Sequence, residues 1–143
     1  MYSAFDIAKY FLIMSDDDSG ELLSNLKLQK LLYYAQGAYL ALKGEPLFSE
    51  KIFAWIHGPV VAKVYYEYQD YKNQGIPAPS SPPQIDEDTQ EILNEVFSVY
   101  GQFSAWKLRD MTHREPPWER TPNGEEITHQ QLKEYFDTQV YDG

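Results

Sequence analysis

Apolar residues recur at helical spacing through most of this chain, and the interruptions fall where helix-ending chemistry sits. Ala4, Ile7, Ala8, Phe11 and Met14 share one helical face. Ser3 followed by Asp6 has capping-box spacing, and the run at 16–20 (DDDSG) is expected to break this short first element. A second helix is predicted from Leu26 to about Lys43, capped by Ser24 or Asn25 and stopped by Gly44 and Pro46. Leu28, Leu31, Leu32, Ala35, Tyr39 and Leu42 form one stripe, while Tyr34, Gly37, Ala38 and Ala41 form another with small residues that admit a close neighbour. A helix apolar on two sides is packed on two sides, which makes this the central helix. Tyr33 and Tyr34 cannot share one face, so at least one must lie near the surface or against a second element.

The pattern then shortens. Leu47-Phe48, a turn at Ser49-Glu50 and the aromatic and β-branched stretch 51–56 predict a small β-hairpin, ended by Gly58-Pro59. Pro59 suits the first position of a third helix, where its missing N–H is no loss, with Val60, Val64, Tyr65, Tyr68 and Tyr71 following. Residues 73–84 hold Gly75 and four prolines and read as an exposed loop. A fourth helix opens at Ile85-Asp86, with Ile92, Leu93, Val96, Phe97 and Tyr100 inward, and ends at Gly101. Ser104 caps a fifth segment with Ala105, Leu108, Met111 and Thr112 inward, closed by Pro116-Pro117 ahead of Trp118. Thr128 with Gln131 makes a capping box for a last helix through Leu132, Tyr135 and Phe136. The expected fold is mainly α with some β: one domain over residues 1–143, about six helices around a central helix, and a hairpin between the second and third.

Composition narrows the chemistry. With 143 residues and 43% hydrophobic content the chain can bury a core without staples. It has no cysteine, which removes disulfides, a thiolate nucleophile and Cys-based zinc sites, and fits a reducing, cytoplasmic setting. No signal-peptide pattern opens it, and no apolar run approaches the roughly 20 residues of a membrane-spanning helix. Twelve Lys and Arg against twenty-two Asp and Glu leave a net charge of −10. Such a field argues against nucleic acid and anionic membranes as ligands and favours a protein partner with a basic face.

Candidate sites for chemistry are few. His57, His113 and His129 are not paired at helical spacing, and a calcium loop at residues 16–27 would need oxygen ligands where Gly20 and Lys27 stand. His113, as the end of a helix, fits a role against unpaired carbonyls. There is no glycine-rich phosphate loop and no nucleophile elbow. No cofactor or metal is expected. Asp110, His113 and Glu115 are the acid–base groups an enzyme reading would use. Aromatics are in excess, with twelve Tyr, seven Phe and three Trp, and aromatic side chains fill cores or anchor interfaces.

Three separated motifs carry a resemblance. The stretch 25–37 (NLKLQKLLYYAQG), then Ala54-Trp55 with His57-Gly58-Pro59-Val60, then residues 108–113 (LRDMTH) with Pro117-Trp118, resemble the Panacea domain family, which takes in SocA-like antitoxins and phage-associated GepA-like proteins. The resemblance runs from the first helix to the last. It implies a bacterial or phage antitoxin that neutralises a cognate toxin protein by direct contact, in one branch as an adaptor to an AAA+ protease, with no catalytic residues. Partner contacts are expected on the motif-bearing faces: Lys27, Lys30 and Tyr33 on the second helix, His57 and Pro59 at the hairpin end, and Trp118 after the double proline. A DNA-binding autoregulator is the remaining alternative, and it would need a contiguous Lys/Arg patch.

Overall fold

The computed structural model describes residues 1–19 and 21–139, without the side chains of 17–19. In chain order the described residues form α1 (Ala4–Ser19), α2 (Asn25–Lys43), β1 (Ile52–Trp55), β2 (Gly58–Val61) and α3 (Ala62–Tyr68), which ends in a 3₁₀ turn at Gln69–Tyr71. There follow α4 (Glu87–Tyr100), α5 (Ala105–His113), α6 (Pro116–Glu119), β3 (Glu126–Ile127) and α7 (His129–Phe136). The fold is mainly α with a small antiparallel sheet of order β2-β1-β3.

Helix α2 sits at the centre because its apolar residues leave it no wet side. Leu28, Leu31, Leu32, Tyr33, Tyr34, Ala35 and Ala38 are all buried, and α1, α4, α5, α7 and β2 pack around them. Its ends have the chemistry their residues dictate. Ser24 Oγ accepts from the Lys27 N–H at 3.3 Å. Gly44 turns left-handed at φ 76° and returns its N–H to Leu40 O at 2.9 Å. Both Tyr33 and Tyr34 are interior, the second face of α2 being covered by α4 and α7 residues, including Phe136, whose ring meets Tyr33 at 5.5 Å and Tyr34 at 6.1 Å. Gly37 lets α7 lie this close: a Cβ there would fall 2.2 Å from the Phe136 ring.

Buried polar side chains of α2 determine where the rest of the chain attaches. Gln36 accepts from Leu47 N at 2.7 Å and Phe48 N at 3.3 Å and donates to Phe48 O at 2.8 Å, closing the backbone groups of the α2–β1 connection. Gln29 accepts from Val61 N at 2.9 Å on β2 and donates to Asn25 Oδ1, and Asn25 donates to Tyr65 O at 3.0 Å on α3. A buried backbone group without a partner costs about 1–3 kcal/mol, so each of these contacts selects one placement of the hairpin and α3.

Several boundaries differ from the sequence expectation, each for a local reason. Helix α1 continues through Asp16 to Ser19, since Asp weakens a helix without interrupting its backbone bonding as Pro does. Gly20 and the side chains of Asp17 and Asp18, on which the acidic-turn reading bears, lie outside the described residues. The hairpin is displaced by several residues: Ser49-Glu50 is not its turn, and Gly58-Pro59 belongs to its second strand, with Ala54 opposite Pro59 and Trp55 opposite Gly58. Pro59 is thus a strand residue, not a helix start, and α3 begins at Ala62. Phe48 instead bridges Tyr2, beside which Tyr2 N donates to Leu47 O at 2.9 Å. Pro116-Pro117 open the one-turn helix α6, a seventh helix, because a fixed φ suits first helical positions. The two-residue strand β3, paired through Ile52 with Ile127, is too short to leave a periodic signal.

Two substitutions test the central role of α2. Gly37→Ala forces the buried Phe136 ring to move and should destabilise by about 1–3 kcal/mol. Gln36→Leu strands the Leu47 N–H and Phe48 carbonyl and should cost at least about 2 kcal/mol. Denaturant midpoints at constant slope measure both; a variant as stable as the parent would show that the connection and α7 do not depend on α2 in this way.

Candidate functional site

The motif residues converge where β2, α2, α5 and α6 meet. Gly58 makes the junction possible. At φ 111° it holds a conformation L side chains rarely adopt, and a Cβ there would lie 2.7 Å from Lys30 Cε and 2.9 Å from Thr112 Oγ1. The Lys30 side chain is completely buried beneath the hairpin and donates from Nζ to Pro59 O at 3.1 Å. Burial, reinforced by the nearby Arg109 charge, pulls its pKa down to about 7.

Beside it, the His113 ring stacks flat on Trp118, 3.9 Å between centroids and 3° from parallel, and Trp118 Nε1 donates to Trp55 O at 2.8 Å. These contacts fasten α5, α6 and β1 together. Burial, with Arg109 adding to it, lowers the His113 pKa, and Nε2 is enclosed without a hydrogen-bond partner. In the last turn of α5 the imidazole serves as a stacking surface for Trp118, with a backbone contact at Ile56 that partly offsets the lowering.

One turn further, Glu115 at the start of α6 accepts from Tyr33 Oη at 2.9 Å and Tyr34 Oη at 2.8 Å. Burial raises its carboxyl to about 7 in spite of both phenol donors, and burial together with Glu115 holds both phenols well above their ordinary value. Tyr34 also stacks on Tyr100 at 3.7 Å. Adjacent tyrosines on α2 thus face one carboxylate.

The acid–base trio is not brought together as one reactive group. Asp110 is exposed and ion-paired with Arg109 at 3.2 Å, His113 is against Trp118, and Glu115 is closed in by the tyrosines. The open groove of about 1200 Å³ runs elsewhere, past Leu22, Lys27, Phe97, Gly101 and Ser104, and none of these three groups lines it.

The expected contact residues divide by exposure. Lys30, Tyr33 and Pro59 are buried and offer no surface to a docking partner: the same packing that gives them fixed hydrogen bonds shields them. Lys27 is half-buried with its ammonium on Gly101 O at 2.7 Å, Trp118 is half-buried, and His57 is exposed at the hairpin turn. Residues the sequence reading passed over complete the outer face. Arg109 donates from Nε to His57 Nδ1 at 3.2 Å and lies 4.7 Å over the Trp106 ring, and Ile56 projects from the turn. Trp106 has a legible signal, since the inward phase of Ala105 and Leu108 turns it outward; Ile56 has none, because its place in the β1–β2 turn depends on long-range strand pairing.

The same segment carries the relationship to known proteins. The family described as Antitoxin SocA-like, Panacea domain, is matched over residues 28–119, from the first turn of α2 to the end of α6. The chain belongs to this family. It is similar to Antitoxin SocA of Caulobacter vibrioides (strain NA1000 / CB15N), 34% identical over 116 residues that cover 71% of this chain and 61% of that protein. It therefore spans about three fifths of the length of this relative. No solved structure matches it. The motifs that carried the resemblance are the ones now seen to join α2, the hairpin and α5–α6.

The two buried titrating groups give this Panacea domain a distinctive pH response. Glu115 has a folded pKa near 7, above an unfolded value of about 4.3. Its contribution to stability is therefore present below the unfolded value and lost as pH rises through the folded one. Lys30 has a folded pKa near 7, below an unfolded value of about 10.4. Its contribution is present in alkali and lost as pH falls through neutrality. Between about pH 5 and 9 the two contributions fall toward neutrality from opposite sides, each changing by about 3 kcal/mol at most. Denaturant midpoints between about pH 5 and 9 should show Glu115→Gln flattening the acid arm and Lys30→Met the alkaline arm. Parallel profiles for parent and variants would refute this.

Proposed function

We propose that this chain is an antitoxin that neutralises a cognate toxin protein by direct contact and catalyses no reaction. The observation that carries the reading is its match to the SocA-like family over residues 28–119, with a curated antitoxin among its relatives. The geometry supports it from a second direction. Groups with the shifted pKa values an enzyme would exploit are enclosed in packing contacts, Lys30 on a backbone carbonyl and Glu115 on two phenols, away from the open groove.

In this reading the motif residues act on two levels. Lys27, His57 and Trp118 have surface to place against the toxin, while Lys30, Tyr33 and Pro59 hold that surface in shape from beneath. A cytoplasmic setting suits a chain without cysteine. Hand-over of the captured toxin to an AAA+ protease is a further step of the same proposal, and it separates from simple capture by experiment: it makes toxin turnover, as well as toxin activity, depend on this chain.

The test is co-expression with the adjacent reading frame. That product alone should arrest growth, the pair should grow, and the two proteins should elute as one complex. Glu115→Gln, which keeps an acceptor for the tyrosines, should protect as well as the parent. A neighbour that is harmless alone, protection without a complex, or a small-molecule turnover lost in Glu115→Gln would each overturn the reading.

A further inference from the structure

Of the large hydrophobic side chains exposed among the described residues, three gather at one place: Ile56 at 69%, Tyr66 at 56% and Trp106 at 56% exposure. Tyr66 packs on Trp55 at 6.0 Å, Ile56 follows Trp55 in the β1–β2 turn, and the next residue, His57, meets Trp106 at 5.7 Å. Arg109 closes the patch from above Trp106. These three side chains are linked through Trp55 and His57 and stay largely exposed, and exposed Trp and Tyr beside Arg is the composition of binding hot spots.

The charge of −10 is unevenly distributed. From 86 to 104 the chain has five carboxylates, at Asp86, Glu87, Asp88, Glu91 and Glu95, and no Lys or Arg. From 105 to 114 it has Lys107, Arg109 and Arg114 against Asp110 alone, a local formal excess of two positive charges. This local excess belongs to α5 and its cap, the element that sets Trp106 and Arg109 against His57 of the hairpin turn.

We propose that the hairpin tip and α5 form the docking face for an acidic segment of the partner polypeptide, anchored by an apolar side chain against Ile56 and Trp106 and flanked by carboxylates that meet Arg109 and Lys107. Of the five N–H groups of a guanidinium, Arg109 spends two, on His57 and Asp110, and keeps others for an incoming carboxylate. A short segment feels the local field, because charges beyond a Debye length of about 8 Å are screened. An extended polyanion such as a nucleic acid would also span the α4 carboxylates and be repelled. Side chains must supply the contact, since the outer edge of β2 is occupied by α2: Val61 N bonds Gln29 and Pro59 O bonds Lys30.

The inference rests on the antitoxin reading and names the surface that reading needs. Its test measures affinity of the full chain for the product of the adjacent reading frame, with melting temperatures recorded for every variant. Trp106→Ala should weaken binding at least about tenfold with unchanged melting, and Arg109→Glu should weaken it as much in protein that its melting shows to be folded, while Glu91→Gln and Glu95→Gln on α4 stay within about twofold. Added salt should weaken the parent more than Arg109→Glu. If the parent binds and Trp106→Ala, still folded, binds equally well, the docking face is wrong and the antitoxin reading stands. If the α4 variants lose affinity instead, the partner docks on the acidic face and the inference falls. Duplex DNA bound by the parent and released by Trp106→Ala would also overturn it. If the parent forms no complex, the antitoxin reading fails, and this inference with it.

Discussion

Polar side chains that α2 carries into the interior must find partners there, and the fold is arranged around that requirement. Asn25, Gln29, Lys30 and Gln36 are all buried, and each meets backbone from another part of the chain or links to a residue that does. An apolar helix in this place would be held equally well by several placements of its neighbours, since hydrophobic contact has no direction. Hydrogen bonds do. Gln36 satisfies three backbone groups of residues 47 and 48, and Gln29 with Lys30 ties down β2, so the hairpin has one position over α2. Stability is given up for this. Removing Lys30 from water and partly enclosing Glu115 disfavours the charged form of each, a cost that apolar residues do not carry.

This constraint explains why motif and surface part company. The family span runs from α2 to α6, and its recognisable residues include Lys30, Tyr33, Gly58, Pro59, His113 and Trp118. Most of them are spent on the junction of α2, the hairpin and α5–α6. The residues with surface to offer, Ile56, Tyr66 and Trp106, are not held in place by buried polar contacts of this kind. A scaffold that fixes its hairpin from beneath can change the side chains on top without losing its shape.

The sequence was most legible where local chemistry acts alone. Ser24 and Gly44 bound α2, Asp86 caps α4 by accepting from Thr89 N at 2.8 Å, and Thr128 with Gln131 closes the capping box of α7. Each depends on side chains within a few residues of the backbone they satisfy. Long-range pairing was less legible. The aromatic run at 51–56 marked a strand, but the choice of partner strand depended on Gln29 and Lys30, about thirty positions away on a helix. Pro59, read as a helix start, is a strand residue because Lys30 takes its carbonyl from the edge of the sheet. The buried tyrosine pair was half legible. Two adjacent aromatics required a second covering element, but Glu115 as their shared acceptor sits 81 and 82 positions along the chain, where no periodicity reaches. Lys30 and Tyr33, expected at a partner contact because they lie in the motif of the second helix, have their polar ends turned inward.

Charge shows the same limit of whole-chain quantities. A value of −10 describes the field a distant partner meets and sets how fast oppositely charged bodies approach. At contact distance screening removes most of that sum, and what remains is the handful of charges within a few ångströms. On this chain the two scales differ in sign along α5 and its cap, where Lys107, Arg109 and Arg114 outnumber Asp110 in the sequence and Arg109 reaches His57 at the hairpin turn. A partner with separated basic and acidic regions would therefore be drawn in by the first and seated by the second. Such a partner would be oriented before it touched, with the α4 carboxylates guiding one end and the Trp106–Arg109 pair receiving the other.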